Sequence, residues 1–389
     1  MNKFVAFLRR VDWVNTAFLT LTPVIAIGGT AFLAVHHAIH WATVWFAVVM
    51  AVITGIAITG GYHRLFAHKS YDAAWPYRLF MLLFGAAAFE NSALRWASDH
   101  RTHHKFVDTP KDPYNIKQGF FHAHMGWVMM KYDPAHQYDN VGDLEQDPLI
   151  RFQNRHYVSL GILFGFLMPT LVAALWGDAL GGFFIAGFLR TVMNHHFTFS
   201  INSFAHLIGR QPYSDRDSSR DSWVLALVTY GEGYHNYHHR FPSDYRNGIR
   251  AYHWDPTKWL VKGLEAVGLT YNLRQIPNET ILRARLKMDE KRMLDRLTET
   301  GEFKPSARER VAAARLRLEE AYTHFRARRE EYVRLKQQQL QGLSATFHTK
   351  MEELRVDMRR ANARLDEAAR HWGDLCGKFG IRGLKLIYN

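Results

Sequence analysis

Long apolar stretches constrain the fold of this 389-residue chain more than any other feature. Four of them cover residues 15–35, 41–61, 157–176 and 179–200. A helix needs ~20 apolar residues to cross a bilayer, and it satisfies its own backbone hydrogen bonds there. Only Arg190, in the fourth stretch, interrupts the pattern. The pattern predicts an all-α integral membrane protein with a four-helix transmembrane bundle.

Basic residues beside these stretches predict which way the helices cross. Cytoplasmic loops of membrane proteins carry an excess of Lys and Arg. Such residues precede the first stretch, follow the second and precede the third: Lys3, Arg9, Arg10, Arg64, Lys69, Arg151 and Arg155. The short links at residues 36–40 and 177–178 contain none. We therefore expect both termini on the cytoplasmic side, with Arg190 facing the bundle interior or reaching the inner surface.

Three histidine clusters predict a metal site on the same side. His63 and His68 are spaced i, i+5, and two later clusters share the spacing i, i+3, i+4: His100, His103, His104 and His235, His238, His239. On a helix, the second spacing places three imidazoles on one face. Random placement of 22 histidines predicts roughly 0.07 copies of that motif in the chain. Two copies therefore indicate a metal cage rather than ordinary surface or core histidines.

The available side chains limit the metal. Imidazole suits iron, copper, zinc and nickel. The single cysteine, Cys376, lies far from the clusters and excludes iron–sulfur or thiolate zinc sites. Eight histidines are too many for one ion and enough for two. A zinc pair would serve hydrolysis, whereas an iron pair would serve oxygen chemistry. The surroundings of the site decide between the two, and here those surroundings are the membrane.

Several blocks around the histidines resemble the stearoyl-CoA desaturase group of membrane fatty acyl desaturases. They are residues 96–106, 112–113, 119–127, 202–206, 220–221, 231–242, 244–248 and 255–258. The resemblance covers roughly residues 15–265. It implies a membrane desaturase domain over residues 1–275, in which a cytoplasmic helical cap holds a di-iron site. It also implies a multi-pass protein of a bacterial inner membrane with a cytoplasmic active site.

The resemblance adds two metal-site residues, His206 as a ninth ligand and Asn202 acting through water. Their spacing, i, i+4, places both on one helical face. The implied ligand set is then His63, His68, His100, His103, His104, His206, His235, His238, His239 and Asn202. Four other histidines are expected outside the cage: His122, His124, His195 and His196.

The implied activity is oxygen-dependent desaturation, which introduces a cis double bond at the Δ9 position of a saturated acyl-CoA. An unactivated methylene C–H resists side-chain acids and bases, so the two iron ions must supply the oxidant. The resemblance further implies a substrate tunnel formed by Asn91, Trp96, Asp99, Trp127, Lys131 and Thr198. For Trp96 and Trp127, core packing is an equal alternative.

Three positions depart from the family pattern. Lys131 stands where animal members have arginine, and it loses bidentate phosphate binding. Glu90 replaces a glutamine and Phe199 a tryptophan. These departures leave the head group and the tunnel shape open.

Some family members carry a fused cytochrome-type electron donor, but this sequence has no His-Pro-Gly-Gly haem motif. We expect electrons from a separate ferredoxin or cytochrome b5-like protein with its reductase. A basic face near the second histidine cluster would attract an acidic donor: Arg101, Lys105, Lys111 and Lys117. The alternative is a solvated face beside anionic membrane lipid. No nucleic-acid partner is expected.

Residues 276–389 form a tail of different composition. Residues 281–389 hold 25 Lys and Arg against 16 Asp and Glu. Breaks at residues 300–305 and 341–342 separate a short helix from two long ones. The last helix has alternating four- and three-residue spacing of apolar residues, typical of a coiled coil: Phe347, Met351, Leu354, Met358, Ala361, Leu365, Ala368 and Trp372. The preceding helix offers Val311, Leu318, Phe325 and Tyr332. The pattern predicts a coiled-coil hairpin, and the alternative is a module for homo-oligomerisation or partner docking.

Three other functions remain open. The same cage suits a fatty acyl or alkane hydroxylase, or a desaturase of acyl lipids rather than acyl-CoA. The block at residues 231–255 resembles desaturases more closely than hydroxylases. A non-catalytic scaffold with a structural metal is a third alternative, but structural sites are closed and use few ligands.

Overall fold

The computed structural model describes residues 3–131, 138–301, 305–339 and 346–381, and most of them are helical. The chain divides into two compact units, residues 1–211 with 216–275, and residues 212–215 with 276–389. The predicted break at residues 341–342 and the side chain of Phe347 lie outside the described part.

The first unit contains fourteen numbered helices. Their bounds are α1 Lys3–Arg10, α2 Trp13–Val35, α3 Trp41–Ile56, α4 Trp75–Ala86, α5 Ala93–Phe106, α6 Gly142–Glu145, α7 Pro148–Arg155, α8 Tyr157–Ile162, α9 Met168–Ala174, α10 Ala179–Gly181, α11 Arg190–Asn202, α12 Trp223–Val228, α13 His235–Arg240 and α14 Pro256–Glu265. Four π-helical segments lie at Ala57–Ala67, His122–Gly126, Leu163–Leu167 and Gly182–Leu189, and 3₁₀ turns at Ile116–Gln118 and Phe204–His206.

Among the described residues of this unit, three helical segments are long and apolar enough to cross a membrane: Trp13–Val35, Trp41–Ala67 and Tyr157–Ala174. They match the first three predicted spans. The fourth predicted segment is helical from Ala179 to Asn202 but is not one of these three. Arg190 is the charged residue in that segment.

Arg190 faces the protein interior, where its side chain is 2% exposed. Its guanidinium donates to the carbonyl oxygens of Ala87 and Gly165 at 2.8 Å each, and to that of Ala186 at 3.1 Å. A buried cation is tolerated only when its donors are satisfied. Arg190 therefore joins the turn after α4 to the π-helical segments Leu163–Leu167 and Gly182–Leu189.

One hydrophobic core packs the π-helix Ala57–Ala67 against α4 and α5. Its fully buried members include Tyr62, Tyr71, Met81 and Leu82. A two-stranded antiparallel sheet closes one side of this unit, where β1 (Asp72–Ala73) pairs with β2 (Thr270–Tyr271). Apart from this short sheet, the described residues agree with the predicted helical class.

The second unit consists of α15 (Asn278–Glu299), α16 (Pro305–Gln339) and α17 (Thr346–Lys378). Leu335 of α16 packs with Met351 and Leu354, near the connection to α17. Val311 and Leu318 lie in a separate cluster with the distant part of α17. The two long helices therefore run antiparallel.

The described positions of the predicted apolar seam on α17 are buried or half-buried. The first helix of the tail, expected as a separate short helix, contributes Leu282, Leu286 and Met293 to the same core as α16 and α17. Three helices thus share one core, because α15 carries its own apolar stripe that a two-helix hairpin leaves uncovered.

We expect Leu365→Ala to destabilise the second unit, because Leu365 is fully buried in this core. Loss of a buried leucine side chain leaves a cavity and costs about 2–5 kcal/mol. Thermal unfolding of the purified protein, followed by circular dichroism, would measure the shift. The neighbouring exposed Arg364→Ala is the control; equal stability of both variants would contradict the proposed core.

Candidate metal centre

Nine buried or half-buried histidines form two groups in the first unit. One contains His63, His68, His100, His104 and His238, and the other His103, His206, His235 and His239. Within each group, one ring nitrogen from every histidine lies within 4.8 Å of those of the others. These are the nine histidines that the sequence pattern and the resemblance singled out.

Local helix geometry explains how the first cluster reaches one group. His63 and His68 are five residues apart on the π-helical segment, and the His68 N–H donates to the His63 carbonyl at 3.0 Å. A π-helix repeats its hydrogen bonds at i, i+5, so this spacing places both rings on one side. The two imidazole centroids lie 4.8 Å apart.

The other two clusters divide between the groups. On α5, His100 and His104 join the first group while His103 joins the second. On α13, His235 and His239 join the second group while His238 joins the first. Each motif therefore bridges both sites, with its i, i+4 pair on one side and the intervening histidine on the other.

The nitrogens converge closely. Nε2–Nε2 distances are 2.9 Å for His63–His238, 2.8 Å for His68–His100 and 3.0 Å for His104–His238. In the second group they are 3.1 Å for His206–His235, 3.0 Å for His235–His239 and 3.3 Å for His103–His239. A neutral imidazole has one donor and one acceptor, so four or five converging nitrogens cannot all satisfy one another. This donor set fits a cation in each group.

Burial keeps these rings in the neutral form that binds metal. Loss of solvation lowers the pKa of six imidazoles well below its ordinary value, and neighbouring histidines lower it further: His68, His100, His104, His235, His238 and His239. Burial lowers the pKa of His206 to about 3.

Side chains behind the rings fix their orientation. Glu232 contacts Nδ1 of His63 at 2.9 Å, and Asp112 contacts Nδ1 of His103 at 2.8 Å. Each group therefore contains one histidine held by a carboxylate. Such contacts set the tautomer that turns Nε2 towards the metal. Nδ1 atoms of two further histidines lie near hydroxyls, His100 at 3.2 Å from Tyr114 and His206 at 2.8 Å from Ser218.

Glu232 also belongs to a buried charge network behind the first group. The Arg64 guanidinium, 1% exposed, donates to Glu232 at 2.8 Å and to Asp255 at 3.2 Å. Burial alone would raise the pKa of Glu232, but Arg64 and His63 hold it below its usual value.

The sequence analysis used Arg64 only to orient the second span and assigned no role to Glu232, Asp255 or Asp112. The signal in the sequence that could have identified these residues was their position close to the histidine motifs.

A cavity of about 260 Å³ ends at the metal centre, bordered by His63, His100 and His235. Asn202 lies in its wall, as do five of the six predicted substrate residues: Asn91, Trp96, Asp99, Trp127 and Thr198. The remaining wall is largely apolar and includes Phe18, Leu19 and Ile58. The sixth predicted residue, Lys131, is exposed and is not part of this wall.

Glu90, which stands where the family pattern has a glutamine, also lies in that wall. One carboxylate oxygen accepts from the Thr198 hydroxyl at 2.8 Å and the other from the Trp96 indole N–H at 3.4 Å. The Trp96 ring in turn stacks on His100, with centroids 4.8 Å apart. Burial raises the pKa of Glu90 to about 8, although these two hydrogen bonds act in the opposite direction. The carboxyl group therefore holds its proton at neutral pH.

The four histidines expected outside the cage lie outside both groups. Nε2 of His195 is 2.8 Å from the Ala88 carbonyl, and that of His122 is 3.2 Å from the Pro113 carbonyl. His124 contacts His196 at 3.0 Å.

The expected basic face has three exposed lysines, Lys105, Lys111 and Lys117. Arg101 is half-buried, and it donates to Asp143 at 2.7 Å and to the Phe66 carbonyl at 2.9 Å. Arg101 therefore connects α5 to the π-helix and does not present a free charge.

We expect Glu90 to make stability depend on pH. Its pKa is raised from 4.5 to about 8 in the folded protein. Between these values the unfolded chain releases a proton that the folded protein keeps, so the free energy of unfolding falls as pH rises. Melting temperatures in detergent between about pH 5 and pH 8 should fall more for the wild type than for Glu90→Gln. Exposed Glu145→Gln is the control, and parallel curves for the wild type and Glu90→Gln would refute the assignment.

Comparisons with known proteins show which family this chain resembles over the first unit. The sequence model of the fatty acid desaturase family matches residues 39–274. The chain is 43% identical over 290 residues to a Schizosaccharomyces pombe protein named "Probable acyl-CoA desaturase", covering 74% of this chain and 60% of that protein. It is 41% identical over 287 residues to "Acyl-CoA desaturase 1" of Saccharomyces cerevisiae, covering 73% and 56%.

The human "Stearoyl-CoA desaturase" is 36% identical over 281 residues, covering 71% of this chain and 77% of the human protein. The chain thus spans less than two thirds of the two fungal relatives and a larger share of the human one. The family match covers both histidine groups and the cavity wall from Ile58 to His235. The chain belongs to the fatty acid desaturase family.

Proposed function

We propose that this chain is an oxygen-dependent acyl-CoA desaturase that introduces a cis double bond at the Δ9 position of a saturated acyl chain. One observation carries the proposal: two groups of buried or half-buried histidines lie beside a largely apolar cavity. Relatives named acyl-CoA and stearoyl-CoA desaturases suggest the substrate class.

The two groups would each hold one iron ion. His63, His68, His100, His104 and His238 would bind the first, and His103, His206, His235 and His239 the second. Asn202, in the cavity wall, would act on the metal through water. When bound, the iron pair supplies with oxygen the oxidant that an unactivated methylene requires.

The protein's own residues position the substrate. The apolar wall favours the saturated chain and excludes water from it. Trp96, stacked on His100, places one side of that wall directly against the first histidine group. Glu90 and Thr198 hold the Trp96 indole in place, so two neighbouring methylenes are presented in one orientation.

Polar residues of the cavity wall suit the acyl-CoA head group. Asn15, Asn91, Asp99 and Trp127 are among the residues that line the cavity. Lys131 is exposed and follows Trp127 in the sequence, and its single charge would attract phosphate groups of the coenzyme.

Electrons would come from a separate ferredoxin or cytochrome b5-like protein with its reductase. Exposed Lys105, Lys111 and Lys117 offer a positive surface for an acidic donor. All three lie close in sequence to His103 and His104, so a donor bound there would be near both groups.

The proposed topology has four spans with both termini and the active site on the cytoplasmic side of a bacterial inner membrane. The buried, carbonyl-bound Arg190 supports a fourth span, because its charge does not face lipid. Residues 276–389 would form a separate, self-packed coiled-coil module that is not needed for the chemistry, and homo-oligomerisation through this module is the alternative role.

A paired assay on purified protein tests the proposed function. Iron is counted, and a saturated acyl-CoA is incubated with oxygen and a reduced donor before mass spectrometry of the product. Two irons and a product lighter by two hydrogens support a desaturase. A product heavier by one oxygen would support a hydroxylase, and bound zinc without turnover a structural site.

We expect His103→Ala to abolish product formation and to lower bound iron from two to one per chain, because His103 belongs to the four-histidine group only. His68→Ala should remove the other iron. Metal analysis and product analysis on the same samples measure both effects. Exposed His371→Ala in the second unit is the control. Full turnover by folded His103→Ala would remove His103 from the ligand set.

We expect deletion of residues 281–389 to leave iron content and turnover intact, because every residue of both histidine groups and of the cavity lies in the first unit. The deletion should change the oligomeric state, measured by light scattering in detergent. Loss of turnover in a truncated protein that still holds two irons would show that the tail takes part in substrate or donor binding.

A further inference from the structure

A second, smaller void lies next to the substrate cavity. The two share three wall residues, Thr59, Thr198 and Ile201. The smaller void adds Gly55, Asn194, Phe197, Thr229 and Tyr230. A path from the substrate cavity into this second void would run between α3, α11 and the loop before α13.

This continuation points along α3, away from the metal centre. Gly55 precedes His63 by eight residues, and a helix rises 1.5 Å per residue, so Gly55 lies about 12 Å from His63 along the axis. Residues 41–67 form a helix of membrane-spanning length. A straight chain that passes the metal centre would therefore extend towards the membrane interior.

The Tyr230 ring closes this direction. A Cβ atom added at Gly55 would lie 2.1 Å from Cε2 of Tyr230, so the ring rests directly on the α3 backbone. The Tyr230 hydroxyl donates to the Ala51 carbonyl at 3.0 Å, one turn earlier on α3. The phenol thus covers a full turn of α3, and only a residue without a side chain at position 55 leaves room for it.

The backbone of Tyr230 adopts an unusual conformation to direct the ring there. Its φ is +54°, in the left-handed region that residues other than glycine rarely adopt. The Thr257 hydroxyl donates to the Tyr230 carbonyl at 3.3 Å and secures this geometry. Backbone strain of this kind persists where the surrounding structure enforces it, and it concentrates at functional sites.

We propose that Tyr230 is the end wall of the acyl channel and limits how many carbons extend beyond the metal centre. The inference rests on the proposed function and adds a residue that determines chain-length specificity. The terminal methyl of a bound acyl chain would contact the phenol ring. Gly55 acts with Tyr230, because it provides the space that the ring occupies.

Replacing the ring with a smaller side chain should admit longer substrates. In Tyr230→Val and Tyr230→Leu, the ratio of kcat/KM for arachidoyl-CoA to that for palmitoyl-CoA should rise about tenfold or more, the usual effect of accommodating extra methylenes. Tyr230→Phe keeps the ring and loses only the bond to Ala51, so its ratio should stay at the wild-type value.

Gly55→Ala tests the same wall from the other side. The added methyl would displace the ring towards the channel, so this variant should favour shorter chains. The Tyr230→Val, Gly55→Ala double variant should recover the preference for longer chains, because the obstructing ring is gone. Binding of the same acyl-CoA series without oxygen should follow the same order of preference.

Double-bond position distinguishes an end wall from a general loosening of the site. The position counted from the carboxyl end should stay unchanged in all variants, because the head-group end of the channel is intact. An unchanged chain-length ratio in both Tyr230→Val and Tyr230→Leu with two irons bound would overturn the inference. Absence of desaturated product from the wild type with any chain would instead reject the proposed function.

Discussion

Nine imidazoles turned towards one another are the constraint on which the first unit depends. Their burial removes the solvent that would otherwise satisfy the ring nitrogens, and it lowers the pKa of most of them. Imidazole rings at N–N distances near 3 Å need a cation between them to satisfy all lone pairs. The helices therefore have to deliver ligands from four separate stretches of sequence to two adjacent points.

Departures from regular α-helix make that delivery possible. The π-helical end of the Trp41–Ala67 segment brings His63 and His68 to one side, where regular helix would separate residues five apart. The same segment carries Arg64, whose ion pairs with Glu232 and Asp255 join it to the chain around the third histidine cluster. A buried ion pair contributes little net stability, but its loss leaves an uncompensated charge. This network thus fixes position more than it adds stability.

The sequence was sufficient to predict the helical class and three helices of spanning length, and to single out the nine histidines that the structure brings into two groups, because hydropathy and histidine spacing are local signals. It did not predict that each i, i+3, i+4 motif divides between two groups, since that depends on how α5 and α13 face each other. Contacts between distant residues were equally hidden, such as Arg64 with Glu232 and Tyr230 with Gly55. For the tail, the apolar spacing identified the α17 seam but not the share of α15 in the same core.

The residues of the cavity wall can be substituted more freely than the histidines, so substrate specificity can change there. The proposed metal ligation would restrict the nine histidines to one residue type and one orientation, whereas the wall needs only an apolar surface of suitable shape. Glu90 satisfies two donors there as a protonated acid, in a position that a neutral amide could also occupy. Tyr230 shortens the channel only because Gly55 lacks a side chain. Substitutions at Gly55 and Tyr230 can therefore change chain-length preference without any change in the two histidine groups.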